Sequence, residues 1–297
     1  MKKQLRGSFL LLMATVIWGA AFVAQSVGAD HISPSAFQAI RCALAVIGLQ
    51  PIIMIIDRLQ PNGKSFFARW ANKKLWIAGL LCGIPLFLAT NLQQMGLVDT
   101  DAGKSGFLTA MYIVIVPVLG IFLKRKPTVM VPISVAIAVA GLYCLSCVGA
   151  SGITLGDLLL IGCALMFAVQ IIFVDLFAQG TDALRLNTIQ TLVCVVLSTV
   201  LMICTNSVPT WNAVISCAGP LAYAGFLSMG IAYSLQIIGQ QDLEPTPAAL
   251  IMSLESVFAV RFGMMILGES MNGWEIIGCV LLFIAVILSQ IPIKSKK

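Results

Sequence analysis

Pro247 to Glu269 reads PAALIMSLESVFAVRFGMMILGE, an apolar run with a carboxylate, Glu255, near its middle and a guanidinium, Arg261, beyond it. About twenty helical residues cross the hydrocarbon core of a bilayer, and the run has that length. A charge at that depth costs about 2.5–3.5 kcal/mol on insertion scales unless it is paired, neutralised or wet, so Glu255 is a candidate for function. The stretch has a degenerate copy upstream. Lys104 to Lys126, KSGFLTAMYIVIVPVLGIFLKRK, aligns with it without gaps at a constant offset of 143. In the same register Leu92, Gln93 and Gly96 fall on Leu235, Gln236 and Gly239, Asp99 on Asp242 and Gly120 on Gly263. Tyr112 takes the position of Glu255. Near the start, Leu10–Phe22 aligns with Leu158–Gln170 at an offset of 148, so the chain reads as a duplication.

With 59% hydrophobic residues, 10% charged and a mean hydropathy of +1.00, a water-soluble domain is excluded, because a soluble surface carries far more charge. The net charge of +6 is no nucleic-acid signature, since the bases sit in short clusters between apolar runs. Nine cysteines lie mostly within the apolar runs. Cys144 and Cys147 form a CxxC without further ligands, which reads as reduced thiols facing core or lipid. The run from Gly7 to Ala29 follows three bases as a signal peptide would, but it is too long for a typical hydrophobic region and has its own copy at the sixth span. It is therefore read as the first span.

Hydropathy and breakers give ten spans, at about 8–28, 35–56, 75–97, 104–123, 128–148, 154–177, 184–205, 215–238, 247–267 and 273–292. The turn at Asn206–Asn212 divides the long uncharged run before the eighth. With the N-terminus inside, the segments on that side hold Lys2, Lys3, Arg6, Arg58, Lys64, Arg69, Lys73, Lys74, Lys124, Arg125, Lys126, Arg185, Lys294, Lys296 and Lys297, fifteen bases. The other side holds Lys104 alone, which predicts cytoplasmic termini in a cell membrane. Five spans per half is an odd number, so the halves cross in opposite senses. The fold expected is an all-α membrane protein of ten transmembrane helices in two inverted five-helix repeats, residues 1–149 and 150–297. Such inverted repeats are a recurrent plan of secondary transporters, with the substrate near the midplane between them.

These features resemble the EamA-type ten-span exporters of the drug/metabolite transporter superfamily. The resemblance rests on Trp18-Gly19, on Arg41, on Gly106 to Ala110 with Tyr112 and Pro117, and on Leu254-Glu255-Ser256-Val257-Phe258 followed by Leu267-Gly268-Glu269. It covers nearly the whole chain. It implies alternating-access export of small metabolites, often amino acids, through a cavity lined by spans one, three, four, six, eight and nine. At position 261 the family usually has an apolar residue, and Arg261 departs from that. Six helical steps place it off the Glu255 face, about 9 Å along the axis, so it reaches the outer headgroups or a carboxylate on another span.

Among the polar residues in the spans, Thr15, Trp18, Phe22 and Gln25 share one face of the first, and Cys163, Met166, Gln170 and Phe173 share the matching face of the sixth. Asn91 and Gln94 lie on one side of the third span, with Thr90 and Gln93 about 100° round. Ser105, Thr109 and Tyr112 align in the fourth, where Pro117 removes a hydrogen bond and permits a kink. Tyr233, Gln236 and Gln240 align in the eighth. Trp18, Asn91, Thr109, Tyr112, Gln170, Tyr233 and Glu255 are the expected lining of the central path. Such groups equally serve interhelical packing. Glu255 has two roles open to it, a proton carrier that couples export to a gradient, or a carboxylate bonded permanently by Ser or Tyr hydroxyls or by Arg41. Arg41 is expected to be structural, holding helices together near the outer side. Gly79 and Gly83 form a GxxxG, a packing signal that leaves the oligomeric state open.

The expected substrate is a small polar or amphipathic metabolite, amino acids before others, with no cofactor, no metal and no nucleic acid. A nucleotide-sugar or sugar-phosphate carrier is the alternative within the class, and it calls for two or more buried cations, for which Arg41 and Arg261 are the candidates. A passive channel would need a continuous polar stripe. An enzyme would need a catalytic pair, and His31 is the only histidine. Gly103-Lys104-Ser105 echoes the end of a phosphate-binding loop without its first glycine or a preceding strand.

Overall fold

The computed structural model describes residues 2–59, 66–100, 102–124, 130–146, 154–267 and 273–289, and these are helices and short turns. Arg125, Lys126, Cys147, Glu269 and the basic tail, on which several expectations above rest, lie outside the described residues. In chain order the elements are α1 (Lys2–Ala29), α2 (Pro34–Leu59), α3 (Phe66–Trp70), α4 (Lys73–Gly96), α5 (Ala102–Ala110), α6 (Tyr112–Phe122), α7 (Met130–Ser146), α8 (Leu155–Phe177), α9 (Ala183–Cys204), α10 (Trp211–Ser216) and α11 (Ala218–Ala222). A π-helix (Tyr223–Ala232) comes next, then α12 (Tyr233–Gln240), α13 (Pro245–Met252), α14 (Glu255–Leu267) and α15 (Gly273–Ser289). Among the described residues eight helical runs are long and apolar enough to cross a bilayer, and Met130–Cys144 and Ile276–Ser289 are shorter apolar helices.

The helices run back and forth across the bundle. At one end Arg6 Nε pairs with Asp242 at 2.7 Å, tying the start of α1 to the end of α12. At that same end Asp57, closing α2, accepts from Arg69 and from Arg185 in the first turn of α9. Arg185 also pairs with its helix-capping Asp182, and the rings of Phe66 and Trp70 stack on its guanidinium. At the opposite end Ser35 and Ser207 share a hydrogen bond of 2.9 Å, and Thr154 and Asp157 form a capping box that starts α8. Asn206 adopts φ 49°, a left-handed turn that Asn tolerates, between α9 and α10. The expected divide in that region therefore stands.

Polar side chains point inward and aliphatic ones outward, the inverse of a water-soluble bundle. Gln38, Arg41, Gln94, Asn187, Gln190 and Gln240 are all buried, whereas Ile47, Leu80, Ile84, Val196 and Val200 are exposed on the outer faces. That arrangement fits a lipid surround, where unpaired polar groups are costly and hydrocarbon is not. The GxxxG works within the chain. A Cβ on Gly79 would stand 2.4 Å from Ile189, and one on Gly83 2.9 Å from the Gln190 carbonyl, so α4 and α9 cross at contact distance.

Among the described residues three spans are not plain α-helices, and each departs from the expected pattern. The fourth breaks at Met111, not at Pro117, which sits inside an unbroken α6. The ninth breaks at Ser253–Leu254, directly before Glu255. Both breaks have the same hydrogen bond, a tight i to i−3 contact: Met111 N to Leu108 O at 3.3 Å, and Leu254 N to Ile251 O at 3.1 Å. In the ninth span the Ser253 and Ser256 hydroxyls bond back to the Leu250 and Ser253 carbonyls at 2.8 Å, competing with the regular ladder. The eighth span contains the ten-residue π-helix. Its wider turns leave carbonyls in need of donors, and Asn187 Nδ2 supplies Met229 O at 3.0 Å and Gly230 O at 2.8 Å.

Candidate functional site

The helix breaks, the π-helix and α1 converge on one cavity with an empty volume of about 470 Å3, including the space at its mouth. It is lined by six of the spans implied by the resemblance, and by the second as well, through Arg41. Glu255 stands at the first residue of α14, where the chain re-enters a helix, and is 7% exposed. Tyr112 stands at the first residue of α6 in the other half, and its hydroxyl donates to Glu255 Oε1 at 3.1 Å. A Tyr hydroxyl therefore holds the carboxylate, one of the bonded arrangements the sequence left open.

Aromatic rings form the walls. Trp18 meets Tyr233 edge-on with centroids 5.0 Å apart, and Tyr112 meets Phe167 at 6.4 Å. Phe22 and Gln25 continue the α1 face towards the end opposite the Arg6–Asp242 pair. Gln93 and Gln236, one from each half and 143 residues apart, also line the cavity. Gln236 Nε2 donates to Gln170 Oε1 and to Gln240 Oε1, each at 3.0 Å. Trp18 Nε1, Gln25 Oε1 and Gln236 Oε1 are buried and find no protein partner among the described residues. Trp18, Gln25, Gln93, Ser228, Tyr233 and Gln236 thus add polar groups to the charges, between aromatic surfaces. That combination, mostly apolar walls with a few placed polar groups, is how small-molecule sites are built.

Four of the expected lining residues, Trp18, Tyr112, Tyr233 and Glu255, come together here. Three do not. Asn91 turns to α9 and donates to Ser198 Oγ at 3.0 Å, because two helical residues from Gln93 is about 200° of rotation. Thr109 is fully buried between helices and lies outside the lining. Gln170 stands one layer back, behind Gln236, while its neighbours Phe167 and Ile171 reach the cavity. Arg41, expected first as a helix tie and otherwise as a candidate cation for an anionic solute, lines the cavity and is 1% exposed. Arg261 is exposed on α14.

Ser228, Met229, Met252, Phe167 and Ile171 also line the cavity, and nothing in the sequence marks them. Apolar residues in an apolar span carry no signal. Ser228 and Met229 belong to the π-helix, whose wider turn takes them off a 3.6-residue wheel.

A bundle of apolar helices with broken spans meeting at a buried carboxylate is a plan that membrane transporters use. The particular family emerges from comparison. The EamA-like transporter family matches over residues 5–147 and again over 154–290, and the chain belongs to that family. An uncharacterized transporter of Archaeoglobus fulgidus is 29% identical over 298 residues, covering 98% of this chain and 88% of that protein. The uncharacterized transporter YoaV of Bacillus subtilis is 22% identical over 294 residues, with 97% of each covered. A solved crystal structure, 18% identical, superposes with a TM-score of 0.76 over 96% of both chains, which shows the shared fold.

Proposed function

We propose that this protein is a secondary transporter that exports small polar or amphipathic metabolites, amino acids before others, by alternating access across the cell membrane. The observation that carries the reading is the Tyr112–Glu255 contact at the two helix breaks. In transporters with inverted repeats, discontinuous helices from the two halves meet at the substrate near the midplane. On this reading residues 1–149 and 150–297 are the inverted repeats. The end bearing Arg6, Arg69, Lys74 and Arg185 faces the cytoplasm, and both termini with it, by the positive-inside bias. Trp18, Tyr112, Tyr233 and Glu255 contact the solute, with Gln93 and Gln236 in place of Asn91 and Gln170. Glu255 exchanges a proton as the cavity turns from one side to the other, which couples efflux to a proton gradient.

The test is efflux from proteoliposomes preloaded with mixed amino acids, with and without an imposed pH gradient, comparing the wild type with Glu255→Gln. Saturable efflux that quickens with the gradient, and loses that response in the variant, supports coupling at Glu255. Saturable efflux indifferent to both changes leaves a facilitator with a structural carboxylate. Flux that does not saturate returns the passive channel, and no amino-acid flux sinks the substrate class.

A further inference from the structure

We propose that Arg41 is the anion-recognising residue of the cavity and takes a single carboxylate of the transported solute, an inference that rests on the transporter reading above. Arg41 Nε donates to Gln38 Oε1 at 2.6 Å, and Gln38 Nε2 donates in turn to Thr90 Oγ1 at 2.6 Å. The guanidinium carbon stands 5.7 Å from the Phe37 ring centroid. The chain from α4 through Gln38 thus holds the guanidinium by its Nε, and the Phe37 ring packs against it. The two terminal nitrogens make no hydrogen bond, and the side chain makes no ion pair, among the described residues. A guanidinium keeps its charge, and a buried charge left without a counter-charge is expensive. The carboxylate in the same cavity is bonded by Tyr112 and is not within ion-pair distance of Arg41.

The other half of the chain shows what this position needs for folding alone. Asn187 stands 149 residues after Gln38, and Gln190 stands 149 after Arg41. Gln190 Nε2 donates to Asn187 Oδ1 at 2.9 Å, the same contact across three residues that Arg41 makes with Gln38. A neutral amide therefore meets the structural demand, and Gln190 does not line the cavity. The charge stands at the one of the two positions that does.

The planar fork of Arg matches a carboxylate in two parallel hydrogen bonds. Arg261 is exposed on α14, and Arg185 is occupied by Asp57 and Asp182, so among the described residues the cavity holds one cation. One cation suits one negative charge. The doubly charged phosphates of sugar phosphates and nucleotide sugars fall outside the class.

The test uses the full chain in proteoliposomes loaded with the protein amino acids, each paired with its carboxamide, in which the carboxylate becomes an uncharged amide. Flux from protein-free vesicles is subtracted. We expect the amino acids that leave to do so at least tenfold faster than their amides. Arg41→Lys keeps the preference with a raised KM, and Arg41→Gln brings acid and amide to the same rate. A merely structural arginine would lower both fluxes together and keep their ratio. Amides that leave as fast as the acids, or an unchanged ratio in Arg41→Gln, would overturn the assignment while leaving transport standing. No flux of any compound would remove the amino-acid transport reading, and the assignment with it. Should Arg41→Gln fail to fold, the wild-type ratio and Arg41→Lys decide.

Discussion

Tyr112 and Glu255 stand 143 residues apart, at the same register position of the two halves, and the hydroxyl of the first donates to the carboxylate of the second over 3.1 Å. Each is the first residue after a break in its span, and each break is closed by the same tight backbone contact. The position that carries the phenol in one half carries the acid in the other, so the duplicated site is self-complementary at its centre. Tyr112→Phe removes one hydrogen bond and keeps the ring against Phe167. It should lower stability by about 0.6–1.5 kcal/mol, read from thermal unfolding in detergent. A larger loss would mean that Tyr112 holds the helix break itself.

Asn187 serves three acceptors, Met229 O, Gly230 O and Ser234 Oγ, and two of them belong to the π-helix. Asn187→Leu should cost about 1–3 kcal/mol, because Met229 O loses a donor while Gln190 Nε2 and Thr191 Oγ1 lose their acceptor, Gly230 O keeping the Ser234 hydroxyl. Asn91→Leu, which breaks bonds only to Phe87 O and Ser198 Oγ, should cost less in the same assay. Equal losses would argue against a special demand from the π-helix.

Gly225 brings the π-helix against α2. A Cβ there would stand 2.7 Å from Leu44 Cβ and 2.9 Å from the Arg41 carbonyl, so neither neighbour can yield cheaply. Gly225→Ala should destabilise by about 1–3 kcal/mol and disturb solute discrimination through Arg41. Gly219→Ala, which meets nothing within 4 Å, is the control and should be neutral.

Asp57 joins Arg69 and Arg185 at the basic end, and Arg185 is buried. Asp57→Asn leaves Arg185 with Asp182 alone, and should cost about 1–3 kcal/mol with little dependence on salt, since buried pairs are weakly screened. Arg6→Gln breaks a pair whose arginine is exposed and whose Asp242 side chain is nearly buried, and its effect should shrink as salt is raised. A salt-sensitive loss at Asp57 would show that water reaches the cluster.

Hydropathy and repeat offset are properties of the chain that packing does not alter, and they suffice for the class of fold. The apolar runs, the register that pairs Tyr112 with Glu255 and the match to the EamA-like family are all legible along the chain. Which polar groups meet is settled in three dimensions. Asn91 and Gln93 are two residues apart and similar in chemistry, yet one bonds to α9 and the other lines the cavity. The breaks at Met111 and Ser253–Leu254 and the π-helix leave no mark on a regular helical wheel, and Ser228 and Met229 of the π-helix reach the cavity unannounced by it. Arg41 shows the same limit. Its charge is plain in the sequence, but that it meets no counter-charge among the described residues depends on how the helices around it pack.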